Sequence, residues 1–431
     1  MLTMFLPFVV ILGYVHLVWG YVSYQPEQVH LAFGGNSYEI VVTWSTTNQS
    51  NESLVEYGIG GLIKRATGKS TLFVSSENGT RSQYIHRVSL PQLTSGSKYV
   101  YHCGSDQGWS DMFWFITSPD ESTWSPQLAI FGDLGNENAK SLPHLQEEVQ
   151  RGMYDAILHV GDFAYDMDSE SGRVGDEFMK QIQPIAAYVP YMTCPGNHEE
   201  AYNFSNYRAR FSMPGSSEGL WYSFDMGPVH FISVSTEVYY FLEYGLKLVT
   251  KQYEWLEKDL KEATKPENRD VRPWIVMFGH RPMYCSNTGD DDCTHYGTYT
   301  RVGLPFVHWF GLEKLLNDYG VDLVIWAHEH SYERLWPLFN YEVRNGSYEE
   351  PYHNPGAPVH IISGSAGCKE DISPFIQELP YWSAFRSTDY GYMRMRIFNK
   401  THLYVEQISV DKEGEVIDHV WIVKNNHTSY A

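Results

Sequence analysis

Residues 24–118 alternate between apolar and polar positions in short segments that are separated by turn-forming residues. The segments are Glu39–Trp44, Ser53–Tyr57, Tyr84–Leu90, Lys98–His102 and Asp111–Phe115. A period of two residues in strands at this spacing is typical of an antiparallel β-sandwich. The histidines of this region are scattered singly, at His30, His86 and His102. We therefore predict an all-β domain over residues 21–118 that serves packing or recognition and gathers no metal ligands.

The pattern changes after Thr117–Pro126, a segment rich in serine, threonine and proline. Beyond it, apolar runs alternate with amphipathic segments whose apolar residues recur every three or four positions. The runs are Leu128–Phe131, Ala156–Val160, Val189–Cys194, Val229–Val234, Trp274–Phe278, Val321–Trp326 and Val359–Ile362, and the predicted helices are Ala139–Gly152, Lys247–Ala263 and Pro305–Tyr319. This alternation predicts an α/β domain over residues 119–431, with layered sheets flanked by helices and the C-terminal strands included.

Length and composition agree with two folded domains. The chain has 431 residues, more than a single core comfortably holds, and 43% of them are hydrophobic. A formal net charge of -21 argues against nucleic acid and against an anionic membrane as partners. The excess of carboxylates is suited instead to binding cations.

The N-terminus predicts entry into the secretory pathway. Residues 2–20 are apolar and contain no Lys, Arg, Asp or Glu. The small residue Gly20 is a plausible cleavage point, so we predict a signal peptide over residues 1–20. The basic residue that usually precedes the apolar part is missing, which leaves an uncleaved anchor as the alternative.

Glycosylation and cysteine patterns support a secreted or lysosomal glycoprotein. Seven asparagines stand in the acceptor sequence Asn-x-Ser/Thr: Asn48, Asn51, Asn78, Asn203, Asn345, Asn399 and Asn426. Of the five cysteines, Cys285 and Cys293 are near enough in sequence to predict a local disulfide. The other three are Cys103, Cys194 and Cys368, of which Cys194 ends an apolar run and is predicted to be a buried thiol.

Polar residues follow five of the apolar runs at the point where each run ends. The endings are Gly132-Asp133, Gly161-Asp162-Phe163-Ala164-Tyr165, Pro195-Gly196-Asn197-His198-Glu199, Gly279-His280 and His328-Glu329-His330. Any one of them alone is more often a turn or a helix cap. The carboxyl ends of parallel strands are where ligands bind in open α/β sheets. We predict that the five strands share one sheet and that their endings meet at one edge.

The combined side chains are an oxygen and nitrogen set suited to two metal ions. Asp162 is the natural bridge between the ions. Asp133 and Tyr165 form a hard, anionic site that favours Fe(III), whereas Asn197, His280 and His328 suit Zn(II), Mn(II) or Fe(II). His328 and His330 are two residues apart, so in an extended segment they would point the same way and serve two adjacent ions.

These five blocks resemble the motif set of the metallophosphoesterases, and Tyr165, three residues after Asp162, narrows the resemblance to the purple acid phosphatases. The β-rich region in front resembles the long form of that family, nearest the animal iron/zinc purple acid phosphatase-like proteins. The resemblance implies a fibronectin III-like sandwich followed by a metallophosphoesterase domain. It also implies two ligand sets: Asp133, Asp162, Tyr165 and His330 for the ferric ion, and Asp162, Asn197, His280 and His328 for the divalent ion.

Two further points follow from the resemblance. His198 is expected to face the substrate, and His295 is the candidate for a second substrate histidine after the His280 block. Ala327 departs from the family pattern, which often has glycine before the paired histidines. Alanine is also small and costs little unless that position needs a positive φ.

The predicted activity is hydrolysis of phosphate monoesters at acid pH by a dinuclear Fe(III)–M(II) centre, in which metal-bound hydroxide is the nucleophile. His198, with His295 as its partner, is predicted to protonate the leaving group. One alternative is a phosphodiesterase or pyrophosphatase with the same centre. Another is a glycosylated binding protein without catalytic activity. The sequence leaves the natural substrate and the oligomeric state open.

Overall fold

A computed structural model describes residues 23–36, 38–75, 81–119, 124–289 and 291–431. The predicted signal peptide, residues 1–20, and the sequon at Asn78 lie outside these residues. Within them, the structure has no helix with the length and apolar character needed to span a bilayer.

The N-terminal domain is a β-sandwich, as predicted. Its strands are β1 Glu27–Phe33, β2 Ile40–Thr46, β3 Leu54–Ile59, β4 Lys64–Thr67, β5 Lys69–Val74, β6 Ser82–Leu90, β7 Lys98–Ser105, β8 Gly108–Trp109 and β9 Phe113–Ile116. One sheet has the order β1-β2-β6-β5, and the other has the order β4-β3-β7-β8, with β9 also paired to β7. Alternate residues turn inward, so Trp44, Tyr99 and Phe115 are buried between the sheets.

The second domain alternates strands and helices. The strands of its two large sheets are β10 Gln127–Phe131, β11 Ala156–Val160, β12 Tyr191–Cys194, β13 Tyr222–Met226, β14 Val229–Ser233, β15 Trp274–Phe278, β16 Leu323–Trp326, β17 Tyr332–Leu335, β20 Val359–Ser363, β21 Ser383–Ser387, β22 Gly391–Ile397, β23 His402–Ser409 and β24 Glu415–Val423, while β18 Leu338–Phe339 and β19 Glu342–Val343 form a hairpin. The helices are α1 Leu142–Gln150, α2 Ser169–Ala186, α3 Ala201–Arg210, α4 Lys247–Ala263, α5 Pro266–Val271, α6 Tyr299–Val302 and α7 Leu312–Asp318.

The prediction that the five site-bearing strands share one sheet is wrong. One sheet has the order β12-β11-β10-β22-β23-β24, and the other has the order β13-β14-β15-β16-β20-β17-β21. The first three endings therefore belong to one sheet, and the endings after β15 and β16 belong to the other. The five site-bearing strands are buried on both faces, so their residue pattern does not encode which strand pairs with which.

The two sheets pack face to face and carry helices on their outer faces. On β15, Val276 and Phe278 enter the core between the sheets, whereas Ile275 and Met277 pack under the outer helices. Leu256 of α4 packs on that outer side, where helix packing buries the second face of the strands. The layered α/β prediction is confirmed. The carboxyl ends of both sheets are brought together by this face-to-face packing.

One helix differs from the prediction. The amphipathic segment Pro305–Tyr319 is helical only from Leu312 to Asp318. Phe306 and Phe310 have left-handed backbones with φ of 66° and 67°, which a helix does not tolerate. The first half of the segment is therefore a turn, and its apolar spacing had been mistaken for a helical face.

The sandwich is fixed to the second domain through β1 and α2. The backbone amide of Val29 donates to Oε1 of Gln183 at 2.9 Å, and the hydroxyl of Tyr101 donates to the carbonyl of Ala187 at 2.7 Å. Arg210 is buried and donates to Oδ1 of Asp176 at 2.7 Å. The two domains thus share one continuous core.

Candidate metal centre

A cavity of about 650 Å³ opens where the carboxyl ends of the two sheets meet. Its walls include residues from three of the five predicted endings, Asp162, Asn197, His198, His328, Glu329 and His330, together with Arg281, which follows His280. The remaining walls come from residues 288–289, 291–292 and 370–374, together with Tyr240. None of the described residues of the N-terminal domain lines this cavity. The cavity is therefore built by the second domain.

Left-handed backbone turns deliver the site residues from their strands. Asp133, Asp162, Tyr165 and His328 have φ of 56°, 52°, 56° and 71°. Such values in residues other than glycine are strained and concentrate at functional sites. Glycine is required at position 161, because φ is 82° and a Cβ there would lie 2.4 Å from Nδ1 of His280.

The first cluster surrounds Nε2 of His280. This nitrogen lies 3.2 Å from Oδ2 of Asp162, 3.1 Å from Oδ1 of Asn197 and 3.2 Å from Nδ1 of His328. The other ring nitrogen of His280, Nδ1, lies 2.8 Å from the carbonyl oxygen of Val160. Because a carbonyl oxygen only accepts hydrogen bonds, Nδ1 carries a proton. Lone pairs of oxygen and nitrogen therefore converge on one point, and only a proton or a cation can lie between them.

The second cluster joins Asp133, Tyr165 and His330. The phenol oxygen of Tyr165 lies 2.9 Å from Nε2 of His330, and that nitrogen lies 3.5 Å from Oδ1 of Asp133. Oδ1 of Asp133 is buried and has no hydrogen-bond partner among the described residues. A buried carboxylate oxygen without a donor is costly unless a cation meets it. The donor set of this cluster, with Asp162 beside it, thus fits a hard metal ion.

Electrostatics within the clusters favours positive charge. Burial lowers the pKa of His280, but the carboxylates of Asp162 and Asp133 outweigh burial and raise it to about 10. Burial likewise opposes charge on His330, yet its contact with Asp133 raises the pKa of this histidine to about 12. Burial also raises the pKa of Tyr165 strongly, and the neighbouring carboxylates add to this effect. Protons and metal ions therefore compete for the same atoms.

Glu199 supports the loop that carries Asp162. Its Oε2 accepts hydrogen bonds from the backbone amides of Asp162 and Gly196 at 2.9 and 2.8 Å, and its Oε1 accepts one from Phe163 at 3.0 Å. Glu199 therefore holds the turn of Asp162 from behind the site. Glu329 is buried against the disulfide, where its Oε1 lies 2.9 Å from the sulfur of Cys293.

His198 borders the cavity beside Tyr165, with ring centroids 4.6 Å apart. Its Nδ1 lies 2.9 Å from Oδ1 of Asp166, and its Nε2 lies 3.5 Å from Oε1 of Glu370. Burial lowers the pKa of His198, but the hydrogen bond to Asp166 and the charge of Asp162 outweigh burial and raise it to about 9. The ring is therefore a cationic group at the edge of the cavity.

His295 is not brought to the site. Its side chain is exposed, and it does not line the cavity. It follows the short turn Asp292–Thr294, which directs the chain away after Cys293. Of the loop residues that line the cavity, Asp291 contacts a cluster: its Oδ2 lies 3.0 Å from Nε2 of His328. Sequence reasoning missed Asp291, although its place in an acidic run between two paired cysteines was visible.

The segment Ala327–His330 is not extended, contrary to the prediction. His328 is left-handed, and the segment bends rather than forming a strand. The backbone amide of His328 donates to Oδ2 of Asp133 at 3.0 Å, and this hydrogen bond stabilises the bend. The two imidazoles still divide between the clusters, with His328 toward His280 and His330 toward Tyr165. The positive φ falls on His328 and not on Ala327.

Comparison with known proteins decides the family. Residues 26–117 match the purple acid phosphatase N-terminal domain, residues 126–332 match the calcineurin-like phosphoesterase domain, and residues 357–419 match the C-terminal region of iron/zinc purple acid phosphatase-like proteins. Acid phosphatase type 7 of Danio rerio is 59% identical over 414 residues, which are 94% of this chain and 92% of the relative. This chain belongs to the purple acid phosphatase family.

Other members of the purple acid phosphatase family agree with this membership. The Fe(3+)-Zn(2+) purple acid phosphatase 12 of Arabidopsis thaliana is 29% identical over 421 residues, which are 93% of this chain and 84% of the relative. The structure of a purple acid phosphatase from yellow lupin (Lupinus luteus) seeds superposes with a TM-score of 0.76 at 26% identity, covering 93% of this chain and 75% of that chain. Three predictions are thereby confirmed: the two-part fold, the acid phosphatase class, and a ferric ion paired with a divalent ion as the cofactor of this family.

Proposed function

We propose that this acid phosphatase hydrolyses phosphate monoesters in the cavity between its two sheets. The ferric ion would be held by Asp133, Asp162, Tyr165 and His330, and the divalent ion by Asp162, Asn197, His280 and His328. The observation that carries the assignment is the pair of adjacent clusters. In the first, oxygen and nitrogen atoms converge on Nε2 of His280, and in the second, the buried Oδ1 of Asp133 has no hydrogen-bond partner among the described residues.

The fit of the residues differs between the two clusters. The phenol of Tyr165 and the carboxylate of Asp133 supply hard, anionic oxygens, which Fe(III) prefers. The imidazoles of His280 and His328 and the amide of Asn197 are neutral, which suits a divalent ion. Asp162 contributes to both because its carboxylate lies at the entrance to the His280 cluster and its loop also carries Tyr165.

When bound, the two ions supply charge stabilisation on the phosphate oxygens and a water of lowered pKa as the nucleophile. The residues of the chain hold and orient the reacting groups. Asp162 accepts the backbone amide of His198 at 3.1 Å, which sets the position of this histidine relative to the clusters. His198 borders the cavity, so its ring is the group placed to give a proton to the leaving alkoxide.

The purified protein tests this function directly. We expect about one iron and one divalent ion per chain, a visible absorption band from phenolate on Fe(III), and faster hydrolysis of p-nitrophenyl phosphate than of bis(p-nitrophenyl) phosphate or pyrophosphate at acid pH. Preferential cleavage of the diester or of pyrophosphate would favour the alternative enzyme class. Full metal content without hydrolysis of any of the three would favour a binding protein.

We also propose that the protein is a secreted or lysosomal glycoprotein. The asparagines of the six sequons within the described residues are all exposed: Asn48, Asn51, Asn203, Asn345, Asn399 and Asn426. The Cys285–Cys293 disulfide is typical of an oxidising compartment. Digestion with an N-glycosidase should increase the gel mobility of the protein from its native source, and N-terminal sequencing should begin near residue 21. Unchanged mobility together with an intact N-terminus would contradict this localisation.

A further inference from the structure

The proposed metal-binding histidines are held from behind in two different ways. Nδ1 of His280 donates to the carbonyl of Val160, and Nδ1 of His330 donates to the carbonyl of Asp371, both at 2.8 Å. Each of these acceptors belongs to the main chain. A partner on the far nitrogen selects the tautomer of a metal-binding histidine and fixes the orientation of its ring. For His280 and His330, this selection is therefore made by the backbone.

His328 has no such main-chain partner among the described contacts and depends on a side chain. Its Nδ1 faces Nε2 of His280 at 3.2 Å, inside the divalent cluster. Its Nε2 faces the carboxylate of Asp291, 3.0 Å from Oδ2 and 3.2 Å from Oδ1. A carboxylate only accepts, so it selects the tautomer with a proton on Nε2. That tautomer leaves the lone pair of Nδ1 directed into the cluster.

Arg281 makes the selection by Asp291 necessary. Its Nη1 lies 3.1 Å from the same Nε2 of His328 and 3.9 Å from Oδ1 of Asp291. The guanidinium is held by Oε2 of Glu237 at 2.9 Å and lies over the ring of Tyr240. Without Asp291, this guanidinium would donate to Nε2. The proton would then be on Nδ1, where it blocks metal binding.

Asp291 is itself positioned by a closed loop. The Cys285–Cys293 disulfide closes this loop, with Cα atoms 5.4 Å apart. The carboxylate of Asp291 also accepts the backbone amide of Asp292, which caps the turn that leads into Cys293. On the other side, the amide of Thr288 donates to the carbonyl of Pro374 at 2.7 Å. The disulfide and this anchor together restrict where Asp291 can lie.

We infer that Asp291 is a positioning residue for the divalent ion, and that the Cys285–Cys293 disulfide holds it against His328. This inference rests on the proposed ligand role of His328. It predicts that binding of the divalent ion depends on the closure of a surface loop that contributes none of the ligands. Binding of the ferric ion should not depend on this loop. Among the described residues, the hydrogen bonds and ion pairs of the Asp291 side chain go to His328, Arg281 and the amide of Asp292, and none goes to Asp133, Tyr165 or His330.

The test measures Zn²⁺ affinity on protein that holds iron but has been stripped of its divalent ion. The variant Asp291→Ala should weaken Zn²⁺ binding about 10- to 100-fold in calorimetric titration. Its iron content and visible band should stay at the wild-type level. Asp291→Asn keeps an oxygen that can accept from Nε2, so its affinity should fall between those of wild type and Asp291→Ala. Glu350→Ala is the control, because it removes a carboxylate that also lies beside an imidazole, 2.9 Å from Nδ1 of His353, but does not line the cavity. It should leave Zn²⁺ affinity unchanged.

A double variant, Cys285→Ser with Cys293→Ser, tests the loop. It should lose Zn²⁺ affinity as Asp291→Ala does while keeping iron, and circular dichroism should show the fold intact. Wild-type affinity in Asp291→Ala, or an equal loss in Glu350→Ala, would overturn the role of Asp291. Wild-type affinity in the double variant would overturn the role of the disulfide. If the wild-type protein itself takes up no Zn²⁺, the ligand assignment fails first, and this inference fails with it.

Discussion

Replacing Tyr165 by phenylalanine removes one oxygen atom from the second cluster, the proposed ferric site, and leaves the ring in place. The phenol oxygen lies 2.9 Å from Nε2 of His330, and the residue is 3% exposed. The backbone at this position is left-handed, with φ of 56°. Phenylalanine meets the same backbone strain as tyrosine, so the substitution isolates the oxygen. Losing one buried hydrogen bond should cost about 1 kcal/mol in the free energy of unfolding.

The loss of stability should be small, but the change in the visible spectrum should be complete. If Tyr165 binds Fe(III), its phenolate supplies the charge-transfer band, and Tyr165→Phe should abolish the visible colour. Asp133, Asp162 and His330 should still hold iron, with weaker affinity. Activity should fall less than for Asp162→Ala, because Tyr165 neither bridges the ions nor donates a proton.

The measurement is the visible spectrum at matched iron content, together with thermal unfolding. Tyr191→Phe is a matched control, because Tyr191 is also buried and its phenol oxygen lies 2.7 Å from Nδ1 of His159, outside the metal centre. It should cost similar stability and leave the colour unchanged. An unchanged spectrum in Tyr165→Phe, or a colourless wild-type protein fully loaded with iron, would refute the assignment of Tyr165.

Three further predictions follow. Asp162→Ala should abolish activity and release both metals, since its carboxylate is proposed to serve both ions; a purified variant with two metals would place the bridge elsewhere. His198→Ala should keep metals and colour but lower turnover about 10²-fold or more on esters with poor leaving groups, and less on aryl phosphates. An equal loss of turnover on both kinds of substrate would exclude His198 as the proton donor. His230 lies between Asp225 and Asp259 at 2.7 and 2.9 Å, and although burial lowers its pKa, these carboxylates raise it to about 9. Because the pKa is raised on folding, its stabilisation, roughly 3 kcal/mol, is complete below about pH 6.5 and is lost as pH rises through about 9. His230→Gln should therefore lower the melting temperature at pH 6 more than at pH 10, and equal losses at both would contradict this.

Much of the candidate site was predictable because its chemistry is local in sequence. Each buried strand ends in a short polar block, and the residue types in Gly161-Asp162 or His328-Glu329-His330 already indicate metal ligands. The structure brings all seven predicted metal ligands to the two clusters. Of the two predicted substrate histidines, His198 borders the cavity and His295 lies outside it. The disulfide was also predictable, because Cys285 and Cys293 are near in sequence and the structure pairs them.

What the sequence left undecided is non-local. The apolar runs indicate that each of these strands is buried on both faces. They do not indicate which strands are hydrogen-bonded to each other, because strand order depends on the connections between strands. The prediction of one shared sheet was therefore wrong, and the strands belong to two. The loop after His280 carries both Asp291 and His295, and residue type favoured the histidine. The tertiary structure places Asp291 3.0 Å from Nε2 of His328 and leaves His295 exposed. The amino acids thus determined which side chains can bind metal, and the packing of two sheets and one loop decided which of them meet.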